Sequence, residues 1–366
     1  MVCLVETLHA RCLEDVQEFL ASRPKPFSVV VMPDFFLDRL VDLKCAAENF
    51  CGKLRTVVKT KGGSIDGIAQ TDTRGGNAVN TASALAALGA EVTPIVCTDK
   101  LGLHLLKFHL KHGKLDLSHV KILRRASVTT ALELEADKGK VNVMLRDVGS
   151  LADFGPQHLD DRDFGAIRDA DYVCVFNWAG TKRFGTQLAR TVFRHTKAKG
   201  KGRTCCDTAD PNPNDRKIPA LVRSVLRSTD LDILSLNENE AVSYAKQVSN
   251  GGKERKKSLA LEEEAKECAK ILAARLSARV DLHTTSFSAT SARKGLTIVP
   301  SFRVPVLRAT GAGDAWNAGN ILGDANGLSD ACRLTLANAV AAYYVSSPRG
   351  EHPTRRQLAR FLVKHK

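Results

Sequence analysis

The feature that most constrains this chain is an alternation. Short runs of β-branched and apolar residues recur along it, separated by longer segments with helical spacing. Ser28-Val-Val-Val-Met32, Tyr172–Phe176, Thr204–Thr208 and Ile233–Leu236 read as strands. Asn77–Leu88, Gly185–Lys197, Ile218–Ser228 and Leu259–Leu276 read as helices. A strand apolar at successive positions must be covered on both faces, and strands joined by helices pair in parallel. The sequence therefore predicts an α/β fold in three layers, with helices on both sides of a mostly parallel central sheet. Glu91–Cys97 adds a strand and Gly102–Gly113 a helix. The last third adds extended segments at 280–285 and 296–306, then helices from Gly313 and Ser329.

One region breaks the pattern. Residues 127–136 alternate with period two, turn at Asp137-Lys-Gly139 and return as Lys140–Leu145, the mark of a half-exposed β-hairpin. Residues 53–72 are polar and β-leaning, with no clear helix pattern. Together these two stretches are expected to form a small β lid on one large domain, 28–350. Residues 1–27 read as an amphipathic helical extension stopped at Pro24 and Pro26, and residues 351–366 as a basic tail.

Several function classes fall away on composition. No apolar run approaches the ~18–20 residues that span a bilayer. The start MVCLVETLHARCLED lacks a basic segment followed by a long apolar one, so a soluble, cytoplasmic protein is expected. Ten cysteines include no C-x-x-C pair, which argues for small core residues over a zinc site or a disulfide framework. The net charge of +14 gathers modestly at Lys197–Arg203, Lys253–Lys257 and Lys364–Lys366. Such runs attract polyanions, but no aromatic residue interleaves with them to stack on bases, so nucleic acid is a weak partner.

Four short motifs carry chemistry. In Ala309-Thr-Gly-Ala-Gly-Asp-Ala315 two glycines turn the backbone at the mouth of an Ala-rich helix, aiming N–H groups outward as an anion hole. Asp314 in such a hole has the placement of a general base for an attacking hydroxyl, although an Asp-capped glycine turn looks the same in isolation. Gly75-Gly-Asn-Ala-Val-Asn80 lets a ligand approach the backbone and offers amide side chains to hydroxyl groups; an Asn-capped helix is the plainer reading. In Asn237-Glu-Asn-Glu240 an Asn and a Glu three apart share a helical face suited to a hydrated Mg²⁺, or simply cap a helix. Asp34 and Asp38 follow the first strand, where α/β folds bind ligands, though Asp38 has Arg39 as an alternative surface partner. Neither G-x-G-x-x-G nor a P-loop is present.

In this order the motifs resemble the ribokinase-like (phosphofructokinase-B) family of sugar and nucleoside kinases, over about residues 28 to 350. Thr310-Gly-Ala-Gly-Asp314 is the most specific match, and Asn237-x-x-Glu240 and Gly-Gly-Asn support it. The resemblance implies the ribokinase-like α/β/α fold with a β lid, and a kinase that moves the terminal phosphoryl of ATP or ADP to an alcohol. Asp314 would be the base, and the amides of Gly311, Ala312 and Gly313 would hold the phosphoryl in flight. Asp38, Gly75, Gly76, Asn77 and Asn80 would bind the sugar, polyol or nucleoside. The nucleotide would lie against Thr310, Gly311, Gly313, Thr285 and Asn338, with Mg²⁺ organised by Asn237 and Glu240. Lid strands of this family can also pair between subunits, which implies a homodimer.

This chain departs from the family pattern at four places. Pro33 stands where the first strand usually ends in Gly. Arg308 and Ala309 stand where an acidic residue linked to a monovalent-cation site is common, which removes that support for potassium activation. Asp210-Pro-Asn-Pro-Asn214 ends in Asn rather than Arg. His283-Thr-Thr-Ser-Phe-Ser-Ala-Thr290 replaces the usual nucleotide loop, and His283 reads as a structural strand-end histidine, with nucleotide contact as the alternative. Two other functions stay open. Lys59, Lys61, Arg74, Arg146 and Arg183 would suit an acceptor already phosphorylated, such as ribose 1-phosphate. A non-catalytic sugar- or polyanion-binding member would have no need of a base at Asp314.

Overall fold

The computed structural model describes residues 2–110, 113–136, 139–249, 260–292 and 295–365. The basic run Lys253–Lys257, Asp137-Lys138 of the hairpin turn and Leu259 lie outside these residues. The predicted alternation forms an eight-stranded sheet. From one edge, its order is Gly295–Pro300, Phe287–Ala292, Arg279–His283, Ile233–Leu236, Arg203–Asp207, Tyr172–Phe176, Ser28–Met32 and Glu91–Pro94. Every pairing is parallel except those of the Phe287–Ala292 and Gly295–Pro300 strands.

The central strands Ser28–Met32, Tyr172–Phe176 and Ile233–Leu236 are almost wholly apolar because each feeds two cores. Val30, Met32, Val173 and Val175 face one, with Leu188, Val192, Val225, Tyr244 and Leu272 from the helices on that side. Val29, Val31, Tyr172, Cys174 and Phe176 face the other, with Leu85, Ile321, Leu322, Leu336 and Val340. The period of two thus sends successive side chains to opposite layers.

A four-stranded lid stands apart, in the order Ala69–Gly75, Phe36–Asp42, Ser127–Ala136 and Gly139–Asp147. Its composition differs from the expectation in two ways. Residues 47–59 are helical, and a strand begins only at Ala69. Glu48 in the first turn and Lys59 in the last complement the helix dipole. Phe50, Leu54, Val57 and Val58 recur at helical spacing, with Phe50 packed on the lid residues Val41, Leu43 and Leu134, but a stretch read from residue 53 onward cuts this stripe at its start. Phe36–Asp42 is a lid strand, paired in parallel with Ser127–Ala136. Its charged Asp38 and Arg39 disguise the alternation.

Both chain ends join the body of the fold. The Val2–Ala21 helix packs against the Asp330–Ser346 and Arg355–Lys364 helices, burying Leu13, Val16 and Leu20. The segment expected as a basic tail is therefore largely helix. It is capped by Thr354 and buries Leu358, Phe361 and Leu362, an i, i+3, i+4 stripe hidden among basic residues. The extended segment expected over 296–306 is a strand only as far as Pro300. Pro305 has no N–H to pair, and the chain continues extended until the Leu307 amide bonds the Val345 carbonyl at 2.8 Å. Among the described residues no helix is long and apolar enough to cross a membrane.

Candidate active site

Five neighbouring parallel strands run out into a polar residue at the same end of the sheet. These are Asp34 just past Met32, Asn177 after Phe176, Asp207, Asn237 after Leu236, and His283. An apolar strand that ends in Asp, Asn or His exchanges core packing for a polar rim. That repeated signal, legible in the sequence, marks Asn177, Asp207 and His283 as members of the site.

Asp34 is fully buried and accepts from the amides of Asn77 (2.8 Å) and Ala78 (2.9 Å) and from Asn177 Nδ2 (2.7 Å). It caps the Asn77–Leu88 helix from across the fold, since the local cap position is Gly76, which has no side chain to do so. Gly76 has φ +94°, and a Cβ there would lie 2.9 Å from the Asp34 carbonyl oxygen. Asp38 is different: it lines the cavity from the lid strand. A Cβ on Gly75 would fall 1.9 Å from its Oδ2, so glycine at 75 makes room for that carboxylate.

Asp314 sits in the first turn of the Ala312–Ala325 helix and is buried. Asn77 Nδ2 donates to its Oδ1 and Asn80 Nδ2 to its Oδ2, each at 2.9 Å. Burial, opposed by the Asn80 bond and reinforced by the Asp207 and Asp34 carboxylates, pushes its pKa up to about 8. The preceding turn holds Gly311 at φ +88°. One expected anion-hole donor is already engaged: the Ala312 amide bonds the Ala309 carbonyl at 3.2 Å. Among the described residues the amides of Gly311, Gly313 and Asp314 have no such partner, so they are the open donors.

Asn237 and Glu240 form a reciprocal cap. Glu240 accepts from the Asn237 amide (3.0 Å) and Nδ2 (2.9 Å), and the Glu240 amide donates to Asn237 Oδ1 (3.0 Å). Asp207 is likewise engaged, by Asn317 Nδ2 at 2.7 Å and the Ala209 amide at 3.1 Å. Burial first, and then the nearby Asp207, raise Glu240 well above the usual carboxylate range. Asp207, Asp210 and Glu240 all line the cavity. Among the described residues no three His, Cys, Asp or Glu side chains are grouped to ligate a metal directly.

Two cavities meet here. The first, about 310 Å³, is lined by Asp38, Gly76, Asn77, Asn80, Arg146, Asp207 and Gly311–Asp314, among others. The second, about 660 Å³, has Phe302, Val304, Val306, Trp316 and Val345 in its wall, with Thr285 and Asn338. Both of the last two are committed to the protein. Thr285 Oγ1 donates to Glu262 (2.8 Å), while Asn338 accepts from Trp316 Nε1 (2.9 Å) and donates to the Pro300 carbonyl (3.0 Å). Asn338 therefore shapes the wall. Of the basic residues proposed for a phosphorylated acceptor, Arg146 alone lines the first cavity, its guanidinium 5.0 Å from the Phe36 ring centroid. Arg74 is turned to His352 (2.9 Å), and Arg183 to Asp153 (3.0 Å).

The model of the PfkB family of carbohydrate kinases matches residues 42–355. No curated protein sequence matches the chain. Among solved structures, ribokinase of Cryptococcus neoformans var. grubii serotype A in complex with ADP is similar at 16% identity. Its TM-score is 0.68, with 92% of this chain and 99% of that one covered. Adenosine kinase of Sinorhizobium meliloti (17% identity, 93% and 99% covered) has a TM-score of 0.69. Arabidopsis thaliana ribokinase complexed with ribose and ATP (18% identity, 92% and 99% covered) has one of 0.66. Such likeness fixes the ribokinase-like fold, and with the family match over most of its length the chain belongs to the PfkB family of carbohydrate kinases.

Proposed function

We propose that this protein transfers the terminal phosphoryl group of a nucleotide, ATP or ADP, to a hydroxyl of a sugar, polyol or nucleoside, with Asp314 as general base. The observation that carries the reading is the placement of Asp314: a buried carboxylate held by two amide side chains, one residue beyond an open glycine turn, where a polar cavity meets an apolar one. The acceptor occupies the polar cavity against Asp38, Asn77 and Asn80. As its oxygen bonds to phosphorus, its proton passes to Asp314 and the bond to the bridging oxygen breaks, the electron pair leaving with the nucleotide product. The open amides of Gly311, Gly313 and Asp314 stabilise the transferring group. The lid closes over the acceptor and excludes water. Mg²⁺, when bound, would neutralise phosphate charge. Asp207, Asp210 and Glu240 line one cavity and would hold a hydrated Mg²⁺ through water, with Asn237 fixing Glu240.

A second reading concerns the acceptor. Arg146 lines the acceptor cavity and forms no ion pair among the described residues, which favours an acceptor that already carries a phosphate, such as ribose 1-phosphate. The exposed lid residues Val141, Val143, Met144 and Leu145 favour pairing of lids in a homodimer, which light scattering reads directly. A screen of ATP and ADP against pentoses, hexoses, inositols, nucleosides and ribose phosphates, run with Mg²⁺ beside Asp314→Ala, tests the whole reading. Turnover on one acceptor class that falls by orders of magnitude in the variant supports it. Turnover unchanged in the variant removes Asp314 as base.

A further inference from the structure

Arg74 stands near the end of a lid strand, just before the glycine pair that leads into Asn77. Two acceptor contacts of the proposed reaction flank it, Asp38 on the paired strand and Asn77 itself. Arg74 is partly buried, and among the described residues it forms no ion pair with a carboxylate. Its Nη2 donates instead to His352 Nδ1 at 2.9 Å, so this imidazole nitrogen is the acceptor and the ring is neutral. The buried His352 ring lies on that of Tyr344, the centroids 4.8 Å apart and the planes 22° from parallel. The Tyr344 hydroxyl then donates to the Thr310 carbonyl at 3.1 Å. It also abuts the turn itself, since a Cβ on Gly311 would lie 2.6 Å from the hydroxyl oxygen.

Three contacts thus run unbroken from the lid to the turn that holds the open amides. None of the three side chains lines either cavity, so they act on the site from behind. The last contact has a direct consequence for one open donor. The Thr310 carbonyl and the Gly311 N–H belong to the same planar trans peptide, so fixing the direction of one fixes the opposite direction of the other. Gly311 sits at φ +88°, in a region where glycine rotates at little steric cost, and its peptide therefore needs an outside partner to hold one orientation.

We propose that Arg74, His352 and Tyr344 are positioning residues that couple the two halves of the site, so that an acceptor bound under the lid aims the Gly311 amide at the nucleotide. The coupling rests on the kinase reading above. An acceptor engaged by Asp38 and Asn77 orders the backbone on both sides of Arg74. Through His352 and Tyr344 that order reaches the Thr310 carbonyl, and the Gly311 N–H turns with it. By linkage the bound nucleotide tightens the acceptor by the same factor as the acceptor tightens the nucleotide.

The test is calorimetric binding with Mg²⁺ present, using the acceptor that turns over in the screen above and the product nucleotide of its donor, a pair that does not react. Nucleotide affinity is measured without acceptor and at saturating acceptor in wild type, Tyr344→Phe and His352→Phe. The first variant removes only the hydroxyl, while the second keeps a stacked ring and removes the partner of Arg74. One neutral hydrogen bond sets the scale: acceptor should tighten the nucleotide about two- to tenfold in wild type and leave it nearly unchanged in both variants. Without acceptor, all three proteins should bind nucleotide alike, which a merely loosened fold would not preserve. Tightening as large in both variants as in wild type would overturn the coupling. So would a wild-type affinity that acceptor leaves unchanged, or a parallel loss of nucleotide affinity with and without acceptor. Wild-type protein that turns over no acceptor would instead overturn the kinase reading itself. The His352 variant keeps the test decisive if Tyr344→Phe fails to fold.

Discussion

In the proposed reaction Asn80 tunes the base, and replacing it by Ala should move the pH dependence of catalysis in a calculable way. The wild-type carboxylate of Asp314 has its pKa raised to about 8, with the Asn80 bond as the largest influence in the opposite direction. At pH 8 about half the free protein therefore holds the ionised base, and at pH 7 about a tenth. A hydrogen bond to a charged acceptor contributes ~1.5–3 kcal/mol, or roughly one to two pKa units, all of it on the ionised form. In Asn80→Ala the ionised fraction at pH 8 should fall to between about a tenth and a hundredth. The assay is kcat/KM for the acceptor from pH 6.5 to 9.5, which reports the free enzyme. Asn80 also faces the acceptor in the proposed reaction, so some loss is independent of pH; the tuning is the part that shrinks as pH rises. A variant profile parallel to wild type at every pH would refute the coupling. A wild-type profile with no titration across this range would refute the raised pKa of Asp314 itself.

Three further outcomes follow from named contacts. The folded-state pKa of Asp314 lies above its unfolded value of 3.8. Its contribution to stability is thus full below about pH 4 and is lost as pH rises through about 8, at ~1.4 kcal/mol per unit. Urea melts of wild type and Asp314→Asn should show that slope in their difference between pH 5 and 7.5, and a flat difference would count against the raised pKa. Gly75→Ala should raise the acceptor KM about tenfold or more, the scale of one charge-assisted contact, because its Cβ meets Asp38 Oδ2 at 1.9 Å. Its nucleotide affinity should not change, and an unaltered KM would remove Asp38 from acceptor binding. Leu358→Ala should destabilise the fold by about 2–5 kcal/mol, since Leu358 is fully buried in the C-terminal helix. A change near zero in thermal or urea melts would contradict that packing.

The sequence by itself determined the layered α/β architecture. Strands such as Tyr172–Phe176, apolar at every position, have no stable solution except between two helical layers. It also located the glycine turn ahead of Asp314, because Gly311 at positive φ is a local requirement written in local residues. The helix at Ala47–Lys59 was not legible, because its short apolar stripe, Phe50, Leu54, Val57 and Val58, runs straight into the polar, glycine-containing residues 60–67 without a break that marks its end. Only the tertiary structure decided the roles within the site. Asp34 and Asp38 look alike in sequence, yet one caps a helix 43 residues away and the other lines a cavity. Asn77 and Asn80 meet Asp314 across separations of 237 and 234 residues. His283 acquires its position from two cavities that no single segment encloses. Burial and the fields of distant carboxylates set the charge state of Asp314, and both are properties of the assembled fold rather than of neighbours along the chain.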